Sequence, residues 1–541
     1  HLQVAAYLRQ AFPGDGEEVA DVIARHYLDA LHAIPGDPDA DGIRGQAIAT
    51  LIRAAERAER AGAPARAATS YTAAAELTSG AADGPEGGGQ LDPGALWIRA
   101  SEAANAATDY AAAVQLASRA REYHLQRGHS RAAARAQAAA GRALHESGRF
   151  AEAREQLTAA AEILRADPDT DTVRALQGLA TLEVFAGSPD AGRLTAEALY
   201  LGQALGVDTA QLCDLFNARG VHLFFAGCWP EAMAYLREIA RLADQIGDSF
   251  RLGRALLNLS AFLAITDPAA AVDAGRTAAA HLRRTGARDY LATAVLNLTD
   301  ALIQFGDWDA AGTELTQALD HDGLADIEYL VCLGAWFAAL RGDAAAAEQT
   351  LASLQDLRAS EAPQDHTTLG LAEAFTAVAQ GRPAEALRRA RAVLTYADAL
   401  GIGHGELVWL WSLAVRAAYE VGDAVATQEL LALLDSYQPG HVVPLLRAER
   451  DLARARQADQ DGDQGAAVAF AAAITALREH GTPYHLAHGL LDHAQYLTRH
   501  RHPDAAAQAI EEARAIGARL RCQPLLDRAD AIEHAQHQIR A

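Results

Sequence analysis

Gln304-Phe305-Gly306-Asp307-Trp308-Asp309-Ala310-Ala311 reads as the end of one helix, a tight turn and the start of the next. Gly306 supplies a left-handed helix cap. Trp308 covers the corner, and Ala311 is small enough for two helices to touch. The same device recurs at Ser147-Gly148-Arg149-Phe150-Ala151-Glu152-Ala153, at Ala226-Gly227-Cys228-Trp229-Pro230-Glu231-Ala232 and at Gln380-Gly381-Arg382-Pro383-Ala384-Glu385-Ala386. The chain is a stack of helical hairpins.

Taking the glycine of each turn as an anchor gives Gly62, Thr108, Gly148, Gly187, Gly227, Thr266, Gly306, Gly342, Gly381, Gly422, Gly462 and Arg501. The intervals run from 36 to 41 residues, except for a first one of 46. A fixed period of this length is the signature of a solenoid. Five residues after each anchor the residue is small, from Ala67 through Ala467 to Ala506, as close helix packing requires. Two residues after it stands an aromatic (Tyr110, Phe150, Trp229, Trp308) or a proline (Pro64, Pro189, Pro268, Pro383, Pro503). Proline fits the first helical turn, where its missing N–H costs nothing.

Composition agrees. The 541 residues are too many for one ordinary core. Ala, Leu, Arg and Glu dominate and β-branched runs are missing, so essentially no sheet is expected. A formal charge of −23 argues against a dedicated nucleic-acid surface. All 47 basic residues are Arg. Without lysine there is no ordinary phosphate-binding Gly-Lys loop and no Schiff-base chemistry. Together with a single Met, that usage points to a GC-rich bacterial genome. Cys213, Cys228, Cys332 and Cys522 form no Cys-x-x-Cys pair and read as reduced thiols of a cytosolic protein. There is no 18-residue apolar run, and opening on His1 rather than Met suggests a piece of something larger.

Two helices are expected before the first hairpin, over Leu2–Phe12 and Glu17–Ala33. The glycine-dense stretch 79–95 is expected as a mobile loop or insertion.

The Gly-x-aromatic-x-x-Ala corners resemble the tetratricopeptide repeat, with a period nearer 40 than 34. A small residue stands in the middle of the first helix of many units, as at Gly141, Ala180, Gly220, Ala335, Ala374, Ala455 and Ala494. Ile23-Ala24-Arg25-His26-Tyr27-Leu28-Asp29-Ala30 looks like the helix that joins an ATPase module to such an array in large bacterial regulators. Thr482-Pro483-Tyr484 to Leu497, then Ile516–Leu520 and Gln523–Leu526, are similar to their terminal repeat. Two families share this plan: large ATP-binding regulators of the LuxR type, and nucleotide cyclases with an AAA-type ATPase. The resemblance implies a signal-receiving arm. A last helix running nearly to Ala541 leaves no room for a helix-turn-helix.

If the tetratricopeptide register carries over, positions thirteen, ten, nine and six before each anchor face a concave groove. In the middle repeats that selects Arg174, Gln177, Asn217, Ser260, Asn297 and Asp300, suited to an extended peptide backbone or a carboxylate. The competing view is that they are ordinary solvated groove residues. Phe224 and Phe225 read as packing. Trp409 and Trp411 point to nearly opposite sides of one helix: either one is exposed as a partner anchor, or each fills a seam. His485 and His488 share a face at a metal-compatible spacing, but no other ligand completes a set, so they read as half-exposed helix histidines. No Gly-x-Ser-x-Gly or His-Glu-x-x-His motif is present.

The expected fold is an all-α superhelix of about twelve hairpins, with residues 1–41 as a joining segment and 42–541 as the array. The expected role is a non-enzymatic binding arm of a multidomain cytoplasmic signalling or transcription regulator. It has no cofactor or metal. Its partners are a protein, a peptide or a small-molecule effector, and an upstream ATPase domain; nucleic acid and membrane are not among them. The alternatives are an oligomerisation scaffold or an enzyme using groove carboxylates.

Overall fold

The computed structural model describes residues 1–33, 39–79, 91–360 and 362–540. Among them there is no strand, and antiparallel helices follow one another from Leu2–Ala11 to Gln523–Arg540. Most of the glycine-dense stretch lies outside the described residues; the next helix begins at Pro93.

The turn chemistry follows from the anchors. Eleven of the twelve adopt positive φ, including the non-glycines Thr108 and Arg501, both at φ 61°. The residue after the anchor then donates its N–H to the carbonyl five residues back, as Asp307 does to Leu302 at 3.0 Å and Asp423 to Ala418 at 2.9 Å. This pairs part of the carbonyls that a helix end leaves open. Aspartates cap the next helix: the carboxylates of Asp307, Asp343 and Asp423 accept from Ala310, Ala346 and Ala426.

Thr266 departs from the pattern. Its helix ends at Leu263 with Ala264 as a right-handed cap, and Asp267 N–H closes four residues back on Leu263. A second correction falls at Gly462, where the following helix starts only at Ala466. Ala466, not Ala467, is therefore the buried small residue. The other small positions are where packing needs them: Ala67, Ala113, Ala153, Ala232, Ala271, Ala311, Ala347, Ala386 and Ala506 are fully buried.

A further series of left-handed turns, which the anchors did not include, returns the chain between hairpins at Gly128, Gly206, Gly247, Gly286, Gly323 and Arg521. Ion pairs at a similar period tie neighbouring hairpins together, as between Arg142 and Glu102 at 2.9 Å and Arg283 and Asp322 at 2.7 Å.

The chain divides into two compact units, His1–Glu183 with Arg193–Val207, and Val184–Gly192 with Asp208–Ala541. The first unit has several small cores. One joins the N-terminal helices to the first hairpin through Ala5, Ile23, Tyr27, Ile43 and Ala47; another centres on Tyr71 and Trp97.

The second unit has a large continuous core from Leu257 to Ile532, with smaller clusters around Leu236 and around Val221. Its hairpins pack on their neighbours and also on hairpins five or six further along. A methyl group on Gly306 would lie 2.7 Å from Pro483, one on Gly342 3.0 Å from Pro524, and one on Gly227 2.9 Å from His441. The Cys522 thiol donates to the Leu340 carbonyl at 3.1 Å, and Arg521 pairs with Asp309 at 2.9 Å. Here glycine serves two ends: the left-handed turn and the close approach of a later helix.

These roles separate experimentally. Gly306 and Gly422 are both left-handed, at φ 90° and 74°, but nothing lies within 4 Å of a methyl group at Gly422. Gly422→Ala is expected to cost about 1–2 kcal/mol of backbone strain. Gly306→Ala is expected to cost roughly 1–3 kcal/mol more, from overpacking against Pro483. Chemical denaturation of both variants measures the difference; equal losses would mean that the turn does not carry the distant contact.

Candidate binding site

Position six before each turn from Gly306 to Arg501 decides what the inner face of this part of the second unit presents. In chain order it holds Asp300, Trp336, Phe375, Arg416, Arg456 and Gln495. These stand on the first helices of six hairpins, and they sort into an acidic group, an aromatic group and an arginine-rich group.

The aromatic group fills the middle. Trp336 meets Trp409 edge-on at 5.1 Å between ring centres, and Phe375 meets Trp409 at 5.8 Å. Tyr484 and His485 reach Trp409 from a later helix at 5.1 and 4.6 Å. Trp308, whose indole N–H donates to Ile303 at 3.0 Å, lies 6.1 Å from Tyr484. Such ring contacts add about 0.5–1.5 kcal/mol each beyond burial.

Neither Trp409 nor Trp411 is an exposed anchor: their relative exposures are 1% and 0%. Trp411 seals its own hairpin through Leu430, at 2.9 Å. Trp409 packs on rings from other hairpins, a role no single inter-repeat seam describes. His485 is fully buried, not half-exposed.

The acidic group joins Asp300 to His404 and Glu406. His404 Nδ1 stands 2.8 Å from Glu406, which also accepts from Thr368 at 3.3 Å. Burial and the neighbouring Glu406 charge push the Asp300 carboxyl up to about 7; Gln304 and His404 oppose them. Burial would raise Glu406 too, but His404 holds it below the ordinary glutamate value.

The arginine-rich group spans four consecutive first helices. Arg416 pairs with Glu449, Arg456 with Asp492, and Arg528 with Asp492. Arg528 also reaches Gln495 at 3.2 Å and His488 Nδ1 at 3.1 Å. Arg456 sits over the Tyr419 ring at 5.2 Å. Glu449 and Asp492 are almost wholly buried, while the side chains of Arg416, Arg456 and Arg528 keep 14%, 14% and 27% of their surface. Glu406, Trp409 and Arg416 lie along one helix, Gly405–Val421. Acid and arginine are thus spaced about 15 Å apart on a single face, with the indole between them.

The six groove candidates are not brought together. Arg174, in the first unit, is exposed and lies 3.6 Å from Asp171; Gln177 on the same helix is half-buried. Asn217 accepts from Asn258 at 2.8 Å, and Asn297 donates to the Leu257 carbonyl at 3.0 Å. Both amides therefore join adjacent first helices. Ser260 is corrected outright: it is fully buried and donates to Ala271 at 2.9 Å, inside its own hairpin. Asp300 alone stands in one of the inner charge groups. Phe224 stacks on Phe262 at 3.6 Å, as packing. The signal for the missed residues was present. The same positions before Gly342, Gly381, Gly422, Gly462 and Arg501 select Trp336, Phe375, Trp409, Arg416, Glu449, Arg456, His488 and Asp492.

Surface clefts lie elsewhere. One of about 260 Å³ is lined by Arg358, Glu373, Arg382, Glu385 and Arg389, and its Arg–Glu pairs already satisfy one another. No described helix is long and apolar enough to cross a membrane.

No family model and no curated protein matches the chain. It is similar to solved structures of helical proteins. One is yeast Tom70, at 13% identity and a TM-score of 0.34 over 92% of this chain and 98% of that one. Another is the human IFIT1 dimer with m7Gppp-AAAA, at 13% and 0.42 over 75% and 90%. A third is the APC/C hetero-tetramer Cut9-Hcn1, at 14% and 0.29 over 82% and 93%. At these scores the fold rests on this chain's own helices and turns, and nothing about a ligand follows.

Asp300 makes stability depend on pH. Its folded-state value of about 7 lies above that of an unfolded aspartate. The stability it contributes is full below about pH 4 and is lost as pH rises through 7. Asp300→Asn mimics the protonated acid. It is expected to melt like the wild type near pH 4 and to be more stable by roughly 1–3 kcal/mol at pH 8. Thermal melts across that range check this; a pH-independent difference would remove the buried-acid assignment.

Proposed function

We propose that the chain is a non-enzymatic binding and sensor arm of a multidomain bacterial signalling or transcription regulator, coupled to an upstream ATPase domain. A protein, a peptide or a small effector is taken up on the inner face of the second unit. The observation that carries this proposal is the inner face itself. Successive first helices place charged side chains there, water still reaches the arginines, and the groups meet from several hairpins at once. A ligand bridging them changes how hairpins five or six apart press together, and so the winding of the unit. The tetratricopeptide-like corners and the Ile23–Ala30 helix support the regulator context.

The raised Asp300 carboxyl beside Glu406 and His404 is the one observation that favours the enzyme alternative, since perturbed acids gather at reaction centres.

Trp336 and Trp409 make the inner face self-reporting. Titrating the full chain with panels of short peptides and small effectors, while following tryptophan emission and the scattering radius, is expected to find at least one ligand that changes both saturably. Ligands that bind while both signals stay flat at saturation would place binding elsewhere and end the winding mechanism.

A further inference from the structure

We propose that Arg416, Arg456 and Arg528 form a binding site for the anionic group, carboxylate or phosphate, of a small ligand. The proposal rests on the binding-arm reading and names the chemistry of its ligand.

Charge balance is the first reason. Three guanidiniums face two enclosed carboxylates, Glu449 and Asp492. Glu420, the next acid in reach of Arg528, is exposed to solvent. A positive excess held in an enclosed place is costly unless an anion completes it.

Hydrogen-bond capacity is the second. Each guanidinium carries five N–H donors, and a carboxylate offers about four lone-pair sites. Donors therefore exceed acceptors. Arg416 Nε and the Nε2 atoms of His485 and His488 are buried without a partner. The indole N–H groups of Trp336 and Trp409, beside them in the aromatic group, are buried and unpartnered as well. His485 is wholly buried, with Nδ1 engaged by Thr482 at 2.7 Å. A group rich in acceptor oxygens is what such a set lacks, and the planar forks of arginine suit carboxylate and phosphate alike.

The electrostatics agree. Burial, with Arg528 and Arg416 adding repulsion, pushes Arg456 down to about 9, and burial pushes Arg528 down to about 10. Burial also raises Glu449, which weakens the compensation it provides.

The test uses the full chain, with inorganic phosphate in one arm and citrate in the other, each against sodium chloride of matched ionic strength. Melting temperature and tryptophan emission are the readouts. Saturable stabilisation by at least one anion is expected, with the more effective arm identifying the group. Arg528→Gln, at the most exposed of the three, is expected to weaken the response at least tenfold, and Arg528→Lys to weaken it less. Hydrogen exchange on the wild-type chain adds a readout that needs no variant: the anion should slow exchange in Pro444–Gln460 and Gln523–Arg540. Phosphate and citrate that act no differently from chloride, or an Arg528→Gln protein that folds and responds like the wild type, would overturn the site. A peptide or effector that still binds in that case leaves the binding-arm reading standing and removes only the anion site.

Discussion

The second unit depends on one constraint: rings and turns from hairpins far apart in sequence occupy the same space. Trp409 is held by Trp336 and Phe375 from earlier hairpins and by Tyr484 and His485 from a later one. An open solenoid is quasi-one-dimensional, since each repeat meets only its neighbours. These contacts add a second dimension. They explain why the largest core runs unbroken from Leu257 to Ile532, while the first unit has only small clusters. They also explain glycine at Gly306 and Gly342, where a later helix starts against the turn.

Filling the middle with rings leaves charge on the same inner face. Aspartate and glutamate gather with His404, and arginines gather with Glu449 and Asp492. Buried ion pairs of this kind seldom stabilise a fold against apolar replacements of similar volume, because desolvation offsets the attraction. Their presence is better explained by what they hold in place. Arg416, Arg456 and Arg528 each reach to a carboxylate on a neighbouring helix, so the pairs fix the register between hairpins. They also leave donors over. A face that is rigid, charged and short of acceptors is prepared for a ligand.

Much of the fold was legible in the sequence. The anchors predicted left-handed turns even at Thr108 and Arg501, because the period, not the residue type, identified them. Thr266 failed because its helix ends at Leu263 and the turn closes on that carbonyl, through the N–H groups of Thr266 and Asp267, without a left-handed residue. Ala467 failed by one position because the Asp463-Gln464-Gly465 segment delays the helix start. Of the groove candidates, Asp300 reached an inner charge group, whereas Ser260 turned into its own hairpin and Asn217 and Asn297 were consumed by contacts between helices. The register was informative beyond the middle repeats, and there it marked Arg416, Glu449, Arg456 and Asp492. What no periodicity encodes is which distant hairpins meet. That depends on small rotations summed over five or six units, so the rings that meet Trp409 and the burial of His485 were out of reach.

Hydrogen exchange on a Tyr484→Ala protein tests the closure most directly. Tyr484 opens the helix Pro483–Arg499, whose sequence neighbours are the flanking helices Ala466–His480 and Pro503–Leu520. If distant hairpins share one core, protection falls also in Arg288–Phe305 and Glu328–Arg341, and tryptophan emission shifts with it. Faster exchange confined to the neighbouring hairpins, with Arg288–Phe305 and Glu328–Arg341 unchanged, would show an ordinary linear array and contradict the account.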